Sequence, residues 1–516
     1  MTYFFRPAWT CGRSDSKHEA AIYYNLIEGL CYYYEDLSAH VVGSMLDMKR
    51  NEPFSVEDIA CKTNVKAEVL QPFLEDMAQH GLLTNSIATA EEIQQYRDNV
   101  RSCRKTQVLD SVQDMRESTV VGTADAERMY AERTGHVVSV MFELTYRCSE
   151  MCIHCYNVGA TRNAEEQSKR GQREEMRIEE YKRIIDELYD QGLTKVTLSG
   201  GDPFSKAIVW DIIAYIYEKG LAIDIFTNGI SVVNDVKRLA DFYPRSIGIS
   251  LYSDVASVHD SITRIPGSHD RTLAFIEHCS ELALPMMLKC CIMKPNVKTY
   301  CTVKDVAYKY GALPQFDLNI TESVDGDRCA STFLRLGHEE MELVLRDRDL
   351  PYYIGEGTTT TDVVKTDELM CSAGISTLCI TPEGNIQPCC AFPMKIGNVR
   401  DGSLEEIITH SKTLAWWKNQ RIGDCTECHT KPYCVYCQMC AGNNFVAHGN
   451  PLRPSENNCS LAKERYELAE KMRKGQDPLQ GRNLQEALDS LHIEIPALRR
   501  LSSINYREQT GINGVS

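Results

Sequence analysis

A chain of 516 residues with 43% apolar and 25% charged side chains is too long for one ordinary core. It suggests about three domains at roughly 100–200 residues each, and its composition excludes collagen-like and largely disordered classes. The formal net charge of −16 disfavours nucleic acid and anionic membrane as partners, because phosphate is held by clustered Lys and Arg.

In chain order, residues 1–85 read as a small module. The tyrosine-rich stretch YYNLIEGLCYYYEDL predicts a strand pair turning at Glu28 and Gly29, followed by a helix carrying Val41, Val42, Met45 and Leu46. A second helix opens at Ser55 with Asp58 three residues on, a capping-box start. The third bears Val69, Leu70, Phe73, Leu74 and Met77 at helical spacing and ends at Gly81. Strands plus three short helices suggest a winged-helix-like α+β module. Residues 86–136 are charged, lack apolar periodicity and read as a helical or partly flexible linker.

From 137 to 335, six strand-like runs (VVSVMFELT, KVTLSGG, AIDIFTNG, SIGISLY, PMMLKCCIM, FDLNI) alternate with amphipathic helices. That order predicts parallel β/α units curving into a partial (β/α)6 barrel, an α/β fold. A connector covers 336–370. Residues 371–470 are rich in Cys, Gly and Pro, with little room for an apolar core, so metal clusters are expected to organise them. The tail, 471–516, looks peripheral.

The opening MTYFFRPAWTCGR lacks a basic stretch followed by an apolar run, and no segment approaches the roughly 18 apolar residues that span a bilayer. A cytoplasmic protein is expected. In a reducing compartment, 22 cysteines read as metal ligands before disulfides. Ten of them fall between Cys371 and Cys459, and three within 148–155. Cys148, Cys152 and Cys155 follow the first barrel strand directly, at the strand end where β/α barrels keep their chemistry. Three thiolates on a four-iron cluster leave one iron open. Zinc, the competing reading, normally takes Cys-x2-Cys pairs and a fourth protein ligand.

The run ELTYRCSEMCIHCY resembles the cluster motif of the radical S-adenosylmethionine (SAM) superfamily, with the likeness extending over about residues 138–325. The resemblance implies a 4Fe-4S cluster whose open iron chelates SAM, and reductive cleavage to a 5′-deoxyadenosyl radical. It also implies SAM contacts from His154, through its backbone, and from Gly200, Gly201 and Asp202 of the SGGDP segment. Asp202 stands where Glu is commoner, and a carboxylate there would accept from the methionine ammonium. Thr227 and Asn228 of the TNG segment, Ser250 at the end of ISLYS, and Arg264 are implied contacts as well. Arg264 sits one place after Thr263, where peptide-modifying relatives often carry an Arg. No general base is identifiable, so the catalytic residues are unknown.

Cys371-x12-Gly384-x4-Cys389, then Cys425-x2-Cys428-x5-Cys434 and finally Cys459, resembles the SPASM extension with its two auxiliary 4Fe-4S clusters. The resemblance implies an outer cluster on Cys425, Cys428, Cys434 and Cys459. The inner cluster would use Cys371, Cys389, Cys379 as a candidate fourth ligand, and either Cys437 or Cys440, which flank Gln438 where the family commonly has Cys; Cys440 is preferred, because the AGN segment after it and its distance to Cys459 resemble the family more closely. Cys390 is a spare. The other nine cysteines lack ligand spacing and read as small hydrophobes.

Residues 1–85 resemble the PqqD-like element that binds a precursor's leader as an added strand. A winged-helix DNA-binding role is disfavoured by charge: residues 20–84 hold four Lys or Arg against ten Asp or Glu. The expectation is therefore a radical SAM oxidoreductase that matures a leader-bearing precursor peptide through a thioether or carbon–carbon cross-link. It would be reduced by flavodoxin or ferredoxin and engage neither nucleic acid nor membrane. A relative acting on a folded protein or a tetrapyrrole is the alternative, and an iron–sulfur electron carrier or sensor is the alternative from another class.

Overall fold

The computed structural model describes residues 3–15, 17–110, 123–157, 174–322, 333–355, 358, 364, 366–425 and 431–493. The N-terminal module runs β1 (Tyr3–Phe5), β2 (Thr10–Ser14), β3 (Ala20–Asn25), β4 (Leu30–Glu35), α1 (Asp36–Leu46), β5 (Pro53–Ser55), α2 (Val56–Thr63) and α3 (Ala67–Gln79). β2, β3 and β4 form an antiparallel sheet in that order, while β1 pairs with β5. Gly29, at φ +77°, makes the turn between β3 and β4, and Ser55 with Asp58 forms the expected capping box of α2.

The apolar run of β3 follows from burial on both faces. Ala21 and Tyr23 pack with α1, α2 and α3, whereas Ala20, Ile22 and Tyr24 join a second core with Ala126, Tyr130, Val138 and Ala222. That second core belongs to the segment expected as a linker, which holds α4 (Ala90–Asp110) and α5 (Thr123–Thr134). α4 shows no apolar stripe because it docks through guanidinium groups. Arg97 donates to the Ala240 carbonyl at 2.9 Å, Arg101 to Glu281 at 3.2 Å, and Arg104 to Ala283 at 3.1 Å and Ile27 at 2.5 Å.

The central domain follows as β6 (Ser139–Glu143), α6 (Ile178–Asp190), β7 (Lys195–Ser199), α7 (Val209–Glu218), β8 (Ala222–Thr227), α8 (Val236–Ala240), β9 (Ser246–Ser250), α9 (Ala256–Thr263), α10 (Ser268–Glu281), β10 (Met286–Cys291), α11 (Cys301–Tyr310) and β11 (Leu313–Asp317). All six strands are parallel and neighbour one another in sequence order, giving the expected α/β unit without closure. α9 was not expected: its sequence ASVHDSIT is polar, yet His259 and Thr263 are fully buried.

Beyond the connector helix α12 (His338–Val344), the chain continues through β12 (Thr377–Ile380), β13 (Asn385–Gln387), β14 (Gly397–Asn398), α13 (Leu404–His410), α14 (Lys412–Trp417), α15 (Ala441–His448), α16 (Glu456–Arg473) and α17 (Leu484–Asp489). β12 pairs parallel with β6, Cys379 opposite Met141, and the β12–β13–β14 meander extends the sheet to nine strands. Two expectations are corrected. The Cys-rich region has its own apolar core, with Phe392, Leu414 and Trp417 almost fully buried. The tail is not peripheral throughout, since Ala487 and Leu488 are buried in the main core. No described helix is long and apolar enough to cross a membrane.

Candidate active site

The loop after β6 carries Cys148, Cys152 and Cys155 and is stitched to both neighbours through its backbone. On one side Leu144 N–H donates to Ser199 at 2.9 Å, while Thr145 and Arg147 carbonyls accept from Gly201 and Asp202 at 2.6 and 2.9 Å. On the other, Met151 and Ile153 donate to Thr263 and Ile262 at 3.0 Å each. Two glycines make the first contact possible. A Cβ on Gly200, whose φ is +128°, would lie 2.3 Å from the Thr145 oxygen, and one on Gly201 2.4 Å from that of Arg147. The SGGDP glycines thus fit the cluster loop itself.

Burial pushes the Cys148 thiol up to about 12, Cys155 to about 11 and Cys152 well above the ordinary range. Such thiols become thiolates when a metal centre replaces their protons. Sulfur acceptors are already served, Cys148 Sγ receiving the Glu150 N–H at 3.4 Å and the Asn228 amide at 3.5 Å, as metal-bound sulfur is. Glu150 Oε1 and His154 Nδ1 are buried without a hydrogen-bond partner among the described residues. Desolvation holds the Glu150 carboxyl up to about 7 and the His154 imidazole down to about 4. Three thiols on one loop beside two orphaned polar atoms fit an iron–sulfur cluster with an open face.

Asp202 is fully buried and its carboxylate is occupied. It accepts from Phe204 N–H at 3.0 Å, Thr227 Oγ1 at 2.6 Å and Asn228 N–H at 3.2 Å. Instead of being free to meet an ammonium, it ties the SGGDP turn to the TNG turn. Asn228 is brought to the cluster loop, its amide donating to Ser149 Oγ at 3.0 Å. Ser250 closes β9 in register with Lys289. Arg264 ends α9 in a left-handed conformation, φ +63°, and its side chain forms no ion pair among the described residues.

Sequence reasoning missed Glu143, Tyr146, Tyr156 and Lys289. Glu143 is buried at the end of β6 between the hydroxyls of Tyr146 and Tyr156, each 3.4 Å away, and burial raises its carboxyl to about 7. A charged residue ending an apolar strand was the available signal. Tyr156, His154, Ser199, Phe226, Lys289 and Cys390 are among the residues around a cavity of about 600 Å³ at the strands' C-terminal ends.

The later cysteines fall into two groups. Burial raises the Cys440 and Cys371 thiols, and both feel Cys389, with Cys440 also acting on Cys371. Cys389 itself is held down to about 7 by the hydrogen bond from Cys390, and Cys379 is close enough to feel it. Cys437, pushed up to about 12 by burial, instead feels Cys459, Cys434 and Cys425. The structure therefore brings Cys440 to the inner group and Cys437 to the outer one. Cys428 lies outside the described residues.

Residues 142–304 match the Radical SAM superfamily, and residues 371–441 match the SPASM iron–sulfur cluster-binding domain. This chain carries a radical SAM domain followed by a SPASM domain. The AdoMet-dependent heme synthase of Methanosarcina barkeri is 24% identical over 337 residues, covering 61% of this chain and 93% of that protein. The antilisterial bacteriocin subtilosin biosynthesis protein AlbA of Bacillus subtilis is 25% identical over 337 residues, covering 62% and 70%. The mycofactocin maturase MftC of Mycobacterium tuberculosis is 26% identical over 360 residues, covering 64% and 86%. Among solved structures, Streptococcus suis SuiB bound to its precursor peptide SuiA has a TM-score of 0.47 and 14% identity, covering 88% of this chain and 99% of SuiB.

Proposed function

We propose that this enzyme modifies a ribosomally synthesised precursor peptide in the cytoplasm, with residues 1–85 holding the leader and the barrel receiving the core residue. The observation that carries the reading is a sheet edge on the N-terminal module to which no further strand pairs among the described residues. β4 is an edge strand, and its inner neighbour is fixed by the Asp36 N–H bond to Glu19 at 3.0 Å. The antiparallel alternation then aims the N–H groups of Cys31, Tyr33 and Glu35 outward. Beside that edge, Tyr34 packs edge-on against Phe73 of α3, and Val69 of α3 is 54% exposed. An extended peptide adding to such an edge gains main-chain hydrogen bonds and apolar pockets at alternate positions. Relatives named as maturases support the same reading.

Cys148, Cys152 and Cys155 would hold the SAM-binding cluster. Cys371, Cys389 and Cys440, with Cys379 beside them, would hold the inner auxiliary cluster, and Cys425, Cys428, Cys434 and Cys459 the outer one. The group held by Cys148, Cys152 and Cys155 would supply the electron for reductive cleavage of SAM, and with it radical hydrogen abstraction from the substrate. His154, Gly200, Gly201, Thr227, Asn228 and Ser250 would orient SAM, and Asp202 would act through Thr227 and Asn228. Flavodoxin or ferredoxin is the proposed reductant.

The heme synthase relatives favour a second reading, a tetrapyrrole substrate. The test is a leader-bearing peptide encoded beside the gene, incubated anaerobically with SAM, reductant and reconstituted enzyme. Modification of the peptide, reduced about tenfold or more by Tyr33→Pro, supports leader capture on β4. Undiminished modification by Tyr33→Pro removes it, and turnover of iron coproporphyrin III in place of the peptide establishes the second reading.

A further inference from the structure

Among the described residues around the cavity at the strand ends stands a cation, Lys289, that the proposed mechanism leaves unused. Along β10, burial alternates so that Met286, Leu288 and Cys290 face the helices while Met287, Lys289 and Cys291 face the interior. Lys289 lines the cavity, its ammonium 3.4 Å from the centre of the Phe226 ring. Gly248, between them on β9, makes this stack possible. A Cβ there would lie 2.8 Å from Phe226 Cδ1 and 3.2 Å from Lys289 Cδ.

No carboxylate among the described residues forms an ion pair with Lys289. Asp317 is served by the Asn319 N–H at 2.8 Å and the Tyr352 hydroxyl at 3.4 Å, and Asp224 is paired with Arg245. A largely buried ammonium without an anion is costly, and a purely packing role would suit Met or Leu better. Desolvation correspondingly lowers the Lys289 pKa, and the charges it feels are those of Cys390, Cys291, Asp224 and Asp317. Around the cavity Lys289 stands with Phe226, Gln315, Asp317 and Cys390.

We propose that Lys289 is the carboxylate-binding residue of this cavity, pairing with a carboxylate of the molecule that loses hydrogen. The proposal rests on the radical SAM reading of the barrel and names the substrate chemistry it selects: an acidic side chain or free C-terminus of a peptide, or a tetrapyrrole propionate.

The test compares dissociation constants of reconstituted wild type, Lys289→Gln, Lys289→Met and Lys289→Arg. The peptide arm uses the neighbouring precursor, versions with each Asp or Glu amidated to Asn or Gln, and a C-terminal amide. The tetrapyrrole arm uses iron coproporphyrin III and its tetramethyl ester. Wild type should prefer the acid form by about tenfold or more in one arm. Lys289→Gln and Lys289→Met should lose that preference, and Lys289→Arg should keep part of it. The proposal is overturned if the neutral variants keep the preference, or if wild type shows none in either arm. It is equally overturned if Lys289→Gln weakens SAM binding about tenfold, which would make the residue a cofactor contact. A wild type that ignores the peptide yet discriminates the ester from the acid ends the peptide reading and upholds Lys289.

Discussion

Gly200→Ala isolates the contact between the SGGDP turn and the cluster loop. The backbone at φ +128° costs a residue bearing Cβ about 1–3 kcal/mol. The new methyl carbon would also stand 2.3 Å from the Thr145 carbonyl oxygen and 3.2 Å from the Leu144 and Thr145 nitrogens, all backbone atoms that cannot swing aside. Such overpacking costs about another 1–3 kcal/mol. The loss of about 2–6 kcal/mol is a large share of the ~5–15 kcal/mol that holds a domain together. Relief requires the loop bearing Cys148 to move. Gly267→Ala is the control, because it shares a positive φ, +74°, and meets nothing within 4 Å. Anaerobic reconstitution followed by iron quantitation and thermal melting should show Gly200→Ala with lost iron and a melting point lower by roughly 4–24 °C. Gly267→Ala should lose only the conformational part and keep its iron. A Gly200→Ala protein matching Gly267→Ala in both measurements would refute the steric account.

Asp202→Asn should destabilise the chain by about 1–3 kcal/mol, because an amide nitrogen facing the Asn228 N–H leaves that donor without an acceptor; weaker SAM binding by equilibrium dialysis should accompany the lower melting point. Cys440→Ser should lose about four irons per chain, the content of one cluster. Cys437→Ser should keep them, since it leaves the proposed four-cysteine outer set intact; equal losses in the two variants would contradict the grouping. For Glu143, burial raises the carboxyl from 4.5 to about 7, so the folded state binds more protons than the unfolded one between those values. Stability is therefore fullest below about pH 4.5, falls as pH rises through the window and levels off above about 7, a change of up to about 3 kcal/mol. Glu143→Gln lacks this term, and its melting point should gain on the wild type between about pH 5 and pH 8; a constant difference would exclude it.

The parallel strands were legible because burial on both faces writes them as apolar runs, as in AIDIFT and SIGIS. The first cysteine triplet was legible because its ligands share one loop. The docking of elements held by polar contacts was not. α4 docks by arginine–carbonyl bonds, α9 buries His259 and Thr263, and β12 is only four residues long with a partner far away in sequence. The fate of Asp202 was equally hidden, since nothing in SGGDP reveals that Thr227 and Asn228 approach it. Lys289 did leave a trace, as the lone charge in the apolar run PMMLKCCIM.

The AGN segment and the distance to Cys459 favoured Cys440 over Cys437 in sequence, and local structure sets the two apart. Cys437 follows the 3-10 turn Pro432–Tyr436, which packs on α16, where Arg465 donates to the Tyr436 carbonyl at 3.0 Å. Cys459 stands on the same helix. Three residues later the chain has turned, and Cys440 caps α15, its sulfur accepting the Asn443 N–H at 3.5 Å. The parallel pairing of β12 with β6 then decides where the inner group sits. It runs the two strands the same way, and β13 then returns antiparallel with Gln387 opposite Cys379, so that Cys389 lies back beside the start of β12. Glu143, Tyr146 and Tyr156 fill the space between, with Cys155, Cys379 and Cys390 all close enough to act on Tyr156. The two cysteine groups are thus tied to one sheet that runs through both domains.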